Sequence, residues 1–208
     1  MKKTFLLITI ILFIPVFSYS QDINFKIIAK DKQEYTGVMK RFKIKSGSKK
    51  IKIPTENGKI ALLSKDLTDI YVWTTSGKAH LVHMPYKMIF KNKVLNRRAF
   101  WSVNVITTPK LNLYEAGQIY QMRNSYLLIK SSGQKGFVGM NYFFKRPNEE
   151  SLVYIGDDSP VVNPNVFLRQ MARNYFSDCP DLAEKIMERE FRFKDREKII
   201  DYYNSQCK

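Results

Sequence analysis

Cysteine and histidine are almost missing from this chain, with two of each in 208 residues. No CxxC pair occurs, and the only histidines, His80 and His83, stand far in sequence from both cysteines, so a thiolate metal site has no ligand set. Glycine is sparse too, at 9 residues, and no phosphate-cradling loop or nucleophile elbow is present. Acidic residues are outnumbered, 19 against 35 Lys and Arg, for a formal net charge of +16. After the N-terminus no apolar run reaches the roughly 20 residues that a membrane helix requires. There is no internal repeat and no low-complexity segment. These absences remove the familiar signatures of metal, nucleotide and serine chemistry and leave no cofactor implied.

The opening "MKKTFLLITIILFIPVFSYSQD" is a three-part export signal. Lys2 and Lys3 are its positive end, Thr4 to Phe17 its apolar run, and Ser18 and Ser20 the small residues preceding a cut before Gln21. With no cysteine near the cut, a lipid anchor on cysteine is not available. The mature protein is therefore expected in the periplasm or outside the cell.

Export changes the reading of Cys179 and Cys207, because paired thiols in an oxidising compartment form a disulfide. The local pattern agrees. Pro180 follows Cys179 as a first-turn proline, and Leu182, Ala183, Ile186 and Met187 make an apolar stripe. After a break at "EFRF", Asp195 is placed to cap a second helix whose apolar face is Ile199, Ile200 and Tyr203. Folded back as a hairpin, the start of one helix lies beside the end of the other, with one cysteine at each place. An earlier helix is expected from Asn163 (cap) and Pro164, with Phe167, Leu168, Met171, Ala172 and Tyr175 inward.

Residues 23 to 155 read as many short strands. High aromatic content, with 12 Tyr and 14 Phe, favours a β-rich body. "YTGVMKRFKIKSGSKKIKIP" reads as a hairpin turning at "SGS": Phe42, Ile44, Ile51 and Ile53 share one face, and Arg41, Lys43, Lys45, Lys50 and Lys52 the other. "MPYKMIFKNKVLNRRAF" is ambiguous between a short helix and an irregular connection. "GDDSPVVNP" is a linker. The expected architecture is α+β: an antiparallel β-rich body (a sandwich or a partly open barrel) over residues 21–156, a linker at 157–163, and a helical tail at 164–208 docked on the sheet, with residues 1–20 removed as signal.

The remaining motifs carry little chemistry. His80 and His83 are spaced H-x-x-H, but on a strand residues three apart point to opposite faces, and metal coordination is not expected. Ser46–Lys49 and Ser132–Lys135 match S-x-x-K in glycine-containing turns, without companion motifs. Glu149–Glu150 and Asp157–Asp158 are read as solvated loop acids. Tyr71, Trp73 and Trp101 are weighed as stacking surfaces for sugars or peptides against the commoner role of core residues.

"YFSDCPDLAEKI", "FRFKD" and "IIDYYNSQC", together with "KLNLYEAG" and "YFFKRPNEE", resemble a group of small secreted bacterial proteins of unassigned function. The resemblance implies export, a β-rich body and a helical end, and it brings no catalytic residues. The sequence therefore favours an exported cell-envelope binding or interaction protein over an envelope hydrolase assembled from distant residues. Its anion-binding candidates are Arg41, Lys43, Lys45, Lys50 and Lys52. The expected partner is anionic: a lipid headgroup, a polysaccharide or an acidic protein. Export disfavours nucleic acid, since the charge alone would otherwise suggest it.

Overall fold

The computed structural model describes residues 22–91, 93–123, 126–131, 139–160 and 163–207. The segment read as an export signal and the Ser132–Lys135 motif lie outside these. In chain order the strands are β1 (Ile23–Ala29), β2 (Glu34–Met39), β3 (Lys43–Lys45), β4 (Lys50–Thr55), β5 (Gly58–Leu63), β6 (Leu67–Trp73), β7 (Lys78–Phe90), β8 (Lys93–Ile106), β9 (Asn112–Ala116), β10 (Ile119–Arg123), β11 (Tyr126–Lys130), β12 (Asn141–Lys145) and β13 (Leu152–Asp157). The helices are α1 (Pro164–Tyr175), α2 (Pro180–Met187) and α3 (Arg196–Gln206). The molecule is α+β, as its sequence leads one to expect.

The main sheet has the order β13-β12-β9-β8-β7-β6-β1-β2. β7 is long enough to serve two neighbours along one edge. Its first part pairs with β6 up to Val82, opposite Asp69. Its last part pairs in parallel with β13, Tyr86 with Leu152 and Lys87 with Val153. That second pairing joins β7, β8, β9, β12 and β13 into a partly closed five-stranded barrel, while β6, β1 and β2 continue as an open sheet. Pro85 sits at the fork between the two neighbours, where a residue without a backbone donor leaves no ladder bond unmade. The ambiguous "MPYKMIFKNKVLNRRAF" segment is thus the far end of the β7–β8 hairpin, paired from Met84–Phe100 to Phe90–Lys93.

A second layer covers one face of the open sheet. It consists of β3-β10-β11 and the β4–β5 ribbon. Phe25, Ile27, Ile70, Val72, Leu81 and Trp101 from the first layer meet Phe42, Ile44, Ile51, Ile53, Tyr120 and Met122 from the second in one apolar cluster. The body is therefore sandwich at one end and barrel at the other. Trp101 is fully buried; its indole N–H donates to Ser64 Oγ at 3.2 Å. The Tyr120 hydroxyl donates to the Trp101 carbonyl at 2.6 Å, and burial raises its pKa.

The expected hairpin between residues 41–45 and 50–53 does not form. β3 pairs with β10, Lys43 opposite Gln121 and Lys45 opposite Ile119. β4 pairs with β5 around the Asn57-Gly58 turn, where Gly58 takes a φ of 120°. The reason lies in the backbone of Ser46. Its N–H donates to the Gln118 carbonyl and its carbonyl accepts from Trp101 N–H, both at 2.9 Å. Those two bonds tie the turn to neighbours remote in sequence, and after a tight turn closed by Ser48 N–H on the Lys45 carbonyl at 3.0 Å the chain leaves for a different partner.

The helices pack on the outer face of the barrel. Leu168, Met171, Leu182, Ile186, Ile199 and Tyr203 share a cluster with Leu113, Phe144, Val153 and Ile155 of β9, β12 and β13. Asn163 caps α1, its side chain accepting from Asn165 N–H. Asp195 departs from expectation: it precedes α3 without a side-chain cap on it and accepts from Arg192 N–H at 3.1 Å instead. Cys179 stands at the start of α2 and Cys207 at the end of α3, joined by a disulfide with Cα atoms 5.4 Å apart.

Arg146, just after β12, fastens this tail to the sheet. Its guanidinium lies 4.5 Å from the Tyr175 ring centroid and 5.3 Å from that of Tyr203. It donates to the Tyr203 hydroxyl at 2.7 Å, the Tyr175 carbonyl at 2.5 Å and Asp178 at 2.6 Å. Glu149 accepts from the Tyr175 hydroxyl at 2.7 Å, and Asp157 from that of Tyr154 at 2.6 Å. Those two acids, expected to be solvated, are structural acceptors.

Candidate functional site

Two surfaces hold side chains that their own packing does not employ. The first is the outer face of the second layer. Alternation along β3 and β4 sends Ile44, Ile51 and Ile53 into the core, leaving Arg41, Lys43, Lys45, Lys50 and Lys52 exposed. Lys59 of β5 joins them, since its strand partner Pro54 lies on the same side as Lys52. None of these six cations forms an ion pair among the described residues. The five residues singled out in the sequence are all exposed, two from β3, two from β4 of a separate sheet, and Arg41 from the segment before β3.

The second surface is the uncovered face of the open sheet. Register carries it straight into the barrel. Lys26 lies opposite Tyr71, and Tyr71 opposite His80. Beyond the Leu81–Val103 pair, His80 and Asn104 border the same groove. Asn104 then lies opposite Tyr114, Tyr114 opposite Phe143, and Phe143 opposite Tyr154. Cross-strand partners point to the same side, so the face that lines the barrel interior continues outward as a concave wall. There the wall holds a groove of about 700 Å³, bordered by Lys26, Tyr71, Trp73, Lys78, His80 and Asn104.

His80 borders the groove and pairs with Asp69 behind it, Nε2 to Oδ1 at 2.7 Å. Tyr71 lies flat on the His80 ring, centroids 4.2 Å apart and planes 7° from parallel. Burial works against ionisation of Asp69. Hydrogen bonds from His80 and Thr68, with the fields of His80 and Lys145, outweigh it and hold the carboxyl below its ordinary pKa. Lys145 is itself buried on the barrel side, donating to the carbonyls of Arg146 and Pro147 at 3.2 and 3.0 Å. Burial lowers its pKa against the opposing fields of Glu149 and Asp69. Burial likewise raises that of Tyr114, which feels the charges of Asp69 and Tyr71.

Two buried oxygens on this wall, Ser102 Oγ and Asn104 Oδ1, have no hydrogen-bond partner among the described residues. A second hollow of about 740 Å³ opens at the fork, bordered by Lys30, Asp69, His83, Pro85 and Glu149.

His83 points away from His80 and packs against Trp101, ring centroids 5.0 Å apart; burial and Lys30 lower its pKa. The two rings of the H-x-x-H spacing thus share no ligand position, and among the described residues no group of three His, Cys, Asp or Glu is placed to hold a metal ion. Ser46–Lys49 lies in the β3–β4 turn, with both residues on the second layer. Of the three aromatic residues weighed as platforms, Trp101 is core, whereas Tyr71 and Trp73 line the groove. Asp69, Asn104 and Lys145 attract no notice in the sequence, because only strand register brings them together.

No helix among the described residues is long and apolar enough to cross a membrane. No protein-family model, curated protein or solved structure matches this chain.

Proposed function

We propose that this is an exported cell-envelope binding or interaction protein whose basic face meets an anionic partner: a lipid headgroup, a polysaccharide or an acidic protein. One observation carries the reading. Lys43 and Lys45 of β3, Lys50 and Lys52 of β4, and Arg41 just before β3 all stand exposed on the second layer, with no acidic neighbour in ion-pair contact among the described residues. Such a field concentrates anions and accelerates their encounter.

The test is binding of the purified protein to phosphatidylethanolamine vesicles with and without phosphatidylglycerol, and to heparin as a polyanion. Binding to the anionic probes is expected, with loss as salt rises through a Debye length of about 8 Å. Lys43, Lys45, Lys50 and Lys52 changed together to Gln should weaken it about tenfold while leaving stability unaltered. Unchanged binding by the fourfold variant would assign these lysines to solubility and edge protection.

The alternative is an envelope hydrolase, and the hydrogen-bonded Asp69–His80 pair beside a groove is the observation in its favour. Ester, peptide or glycoside turnover abolished by His80→Gln would establish it.

A further inference from the structure

We propose that the groove over Tyr71, Trp73 and Asn104 is a second and separate binding site, built for an acidic sugar unit of the uronate type. Three features argue for a sugar ring. The groove lies on the face of the sheet, where an added peptide strand finds no ladder to pair with. Its walls alternate apolar and polar groups at the scale of one ring. Trp73 is 38% exposed, while the chain's other tryptophan is fully buried, so an indole face is presented to solvent at an energetic cost. Beside it the Tyr71–His80 stack makes a second flat surface, held by Asp69. A sugar has the matching form, with apolar C–H faces and a polar rim.

The acidic character follows from the border. Lys26 and Lys78 flank the groove, and the Asp69 carboxylate behind His80 is already held by the His80 Nε2 at 2.7 Å. Lys26 is paired with Glu34 at 2.7 Å, whereas Lys78 forms no ion pair among the described residues and is directly opposite Trp73. A ring seated on Trp73 therefore brings its carboxylate to the Lys78 ammonium. A neutral sugar leaves that cation without a partner.

The test uses the full exported protein with tetragalacturonate as probe and maltotetraose as the neutral control, followed by tryptophan fluorescence and calorimetry. Trp101 is buried, so a ligand-dependent change in emission reports Trp73. Saturable binding of the uronate with at least tenfold preference over the neutral oligomer is expected. Trp73→Ala should weaken it at least tenfold, Trp73→Phe less, and Lys78→Gln should erase the preference. The fourfold lysine variant of the basic face should bind tetragalacturonate at the groove as wild type does, which separates this site from the basic-face reading. Absence of saturable binding, or binding indifferent to Trp73→Ala, would overturn the proposal. Equal affinity for the two oligomers would overturn its acidic part.

Discussion

At the level of single residues, the molecule concentrates its strongest constraints on Arg146. One guanidinium touches two tyrosine rings, a hydroxyl, a carbonyl and a carboxylate, and it does so where the β12–β13 turn meets two helices. Only a planar fork fills these positions together. Arg146→Lys is therefore expected to destabilise nearly as much as Arg146→Ala, by about 2–3 kcal/mol, from hydrogen bonds lost to charged and buried partners. Denaturant unfolding of both variants measures it. Asp69 makes a different demand. Its pKa is depressed in the folded state, so the unfolded chain binds its proton more readily. The stability it contributes is complete above the ordinary carboxylate value of 3.8 and is lost as pH falls through the lower folded value. Asp69→Asn should flatten the stability profile below pH 3.8 relative to wild type, as followed by circular dichroism.

Among the elements, the disulfide closes the α2–α3 hairpin at its open end. The chain-entropy argument assigns a loop of about 29 residues roughly 3.5 kcal/mol. Cys179→Ser with Cys207→Ser should lower the unfolding free energy by that order, and hydrogen exchange over 179–207 should rise before exchange in β1 and β6 does. Gly156 controls where the tail sits. It takes a φ of 141°, and an added Cβ meets the Pro164 side chain at 2.8 Å and the Phe193 ring at 3.0 Å. Gly156→Ala should cost about 1–3 kcal/mol from backbone strain alone, with further loss from displacement of α1, measurable by thermal melting. Much at this scale was legible in sequence. First-turn prolines at Pro164 and Pro180, the Asn163 cap and the cysteine spacing define the helices from local chemistry. Strand partners were not legible. The parity of Phe42, Ile44, Ile51 and Ile53 shows which way the side chains face but not which strand lies alongside. The bonds of Ser46 to Gln118 and Trp101, far apart in sequence, decided that. The groove stayed hidden for the same reason: alternation in "DIYVW" and "AHLVHM" is visible, but the row joining Lys26 to Tyr154 exists only once seven strands are in register.

On the scale of the whole molecule, charge and concavity are divided between opposite faces of the sandwich. The second layer carries the outward lysines, and the uncovered face of the first carries the groove. This division makes the two proposals separable by experiment. Titrating salt should act strongly on polyanion capture by the basic face. It should act less on a single uronate in the groove, where one ammonium and two ring surfaces share the contact. Side-by-side calorimetry at low and high salt checks this, and parallel losses would place both ligands on one surface.

The parallel pairing of β13 with β7 also governs the order of events during folding. Leu152 must find Tyr86 across the whole intervening length of chain, and contacts of that separation form late and slowly. The β7–β8 hairpin closes locally and early. The barrel then waits for β13, and until it arrives the edge of β7 beyond Pro85 stands open, with Tyr86, Met88 and Phe100 uncovered. A nascent chain lacking β13 therefore carries a sticky seam. The residue that ends this exposure is not in the helical tail but in the last strand before it, and the tail, seated on β13 by way of Gly156, seals a joint that has only just been made.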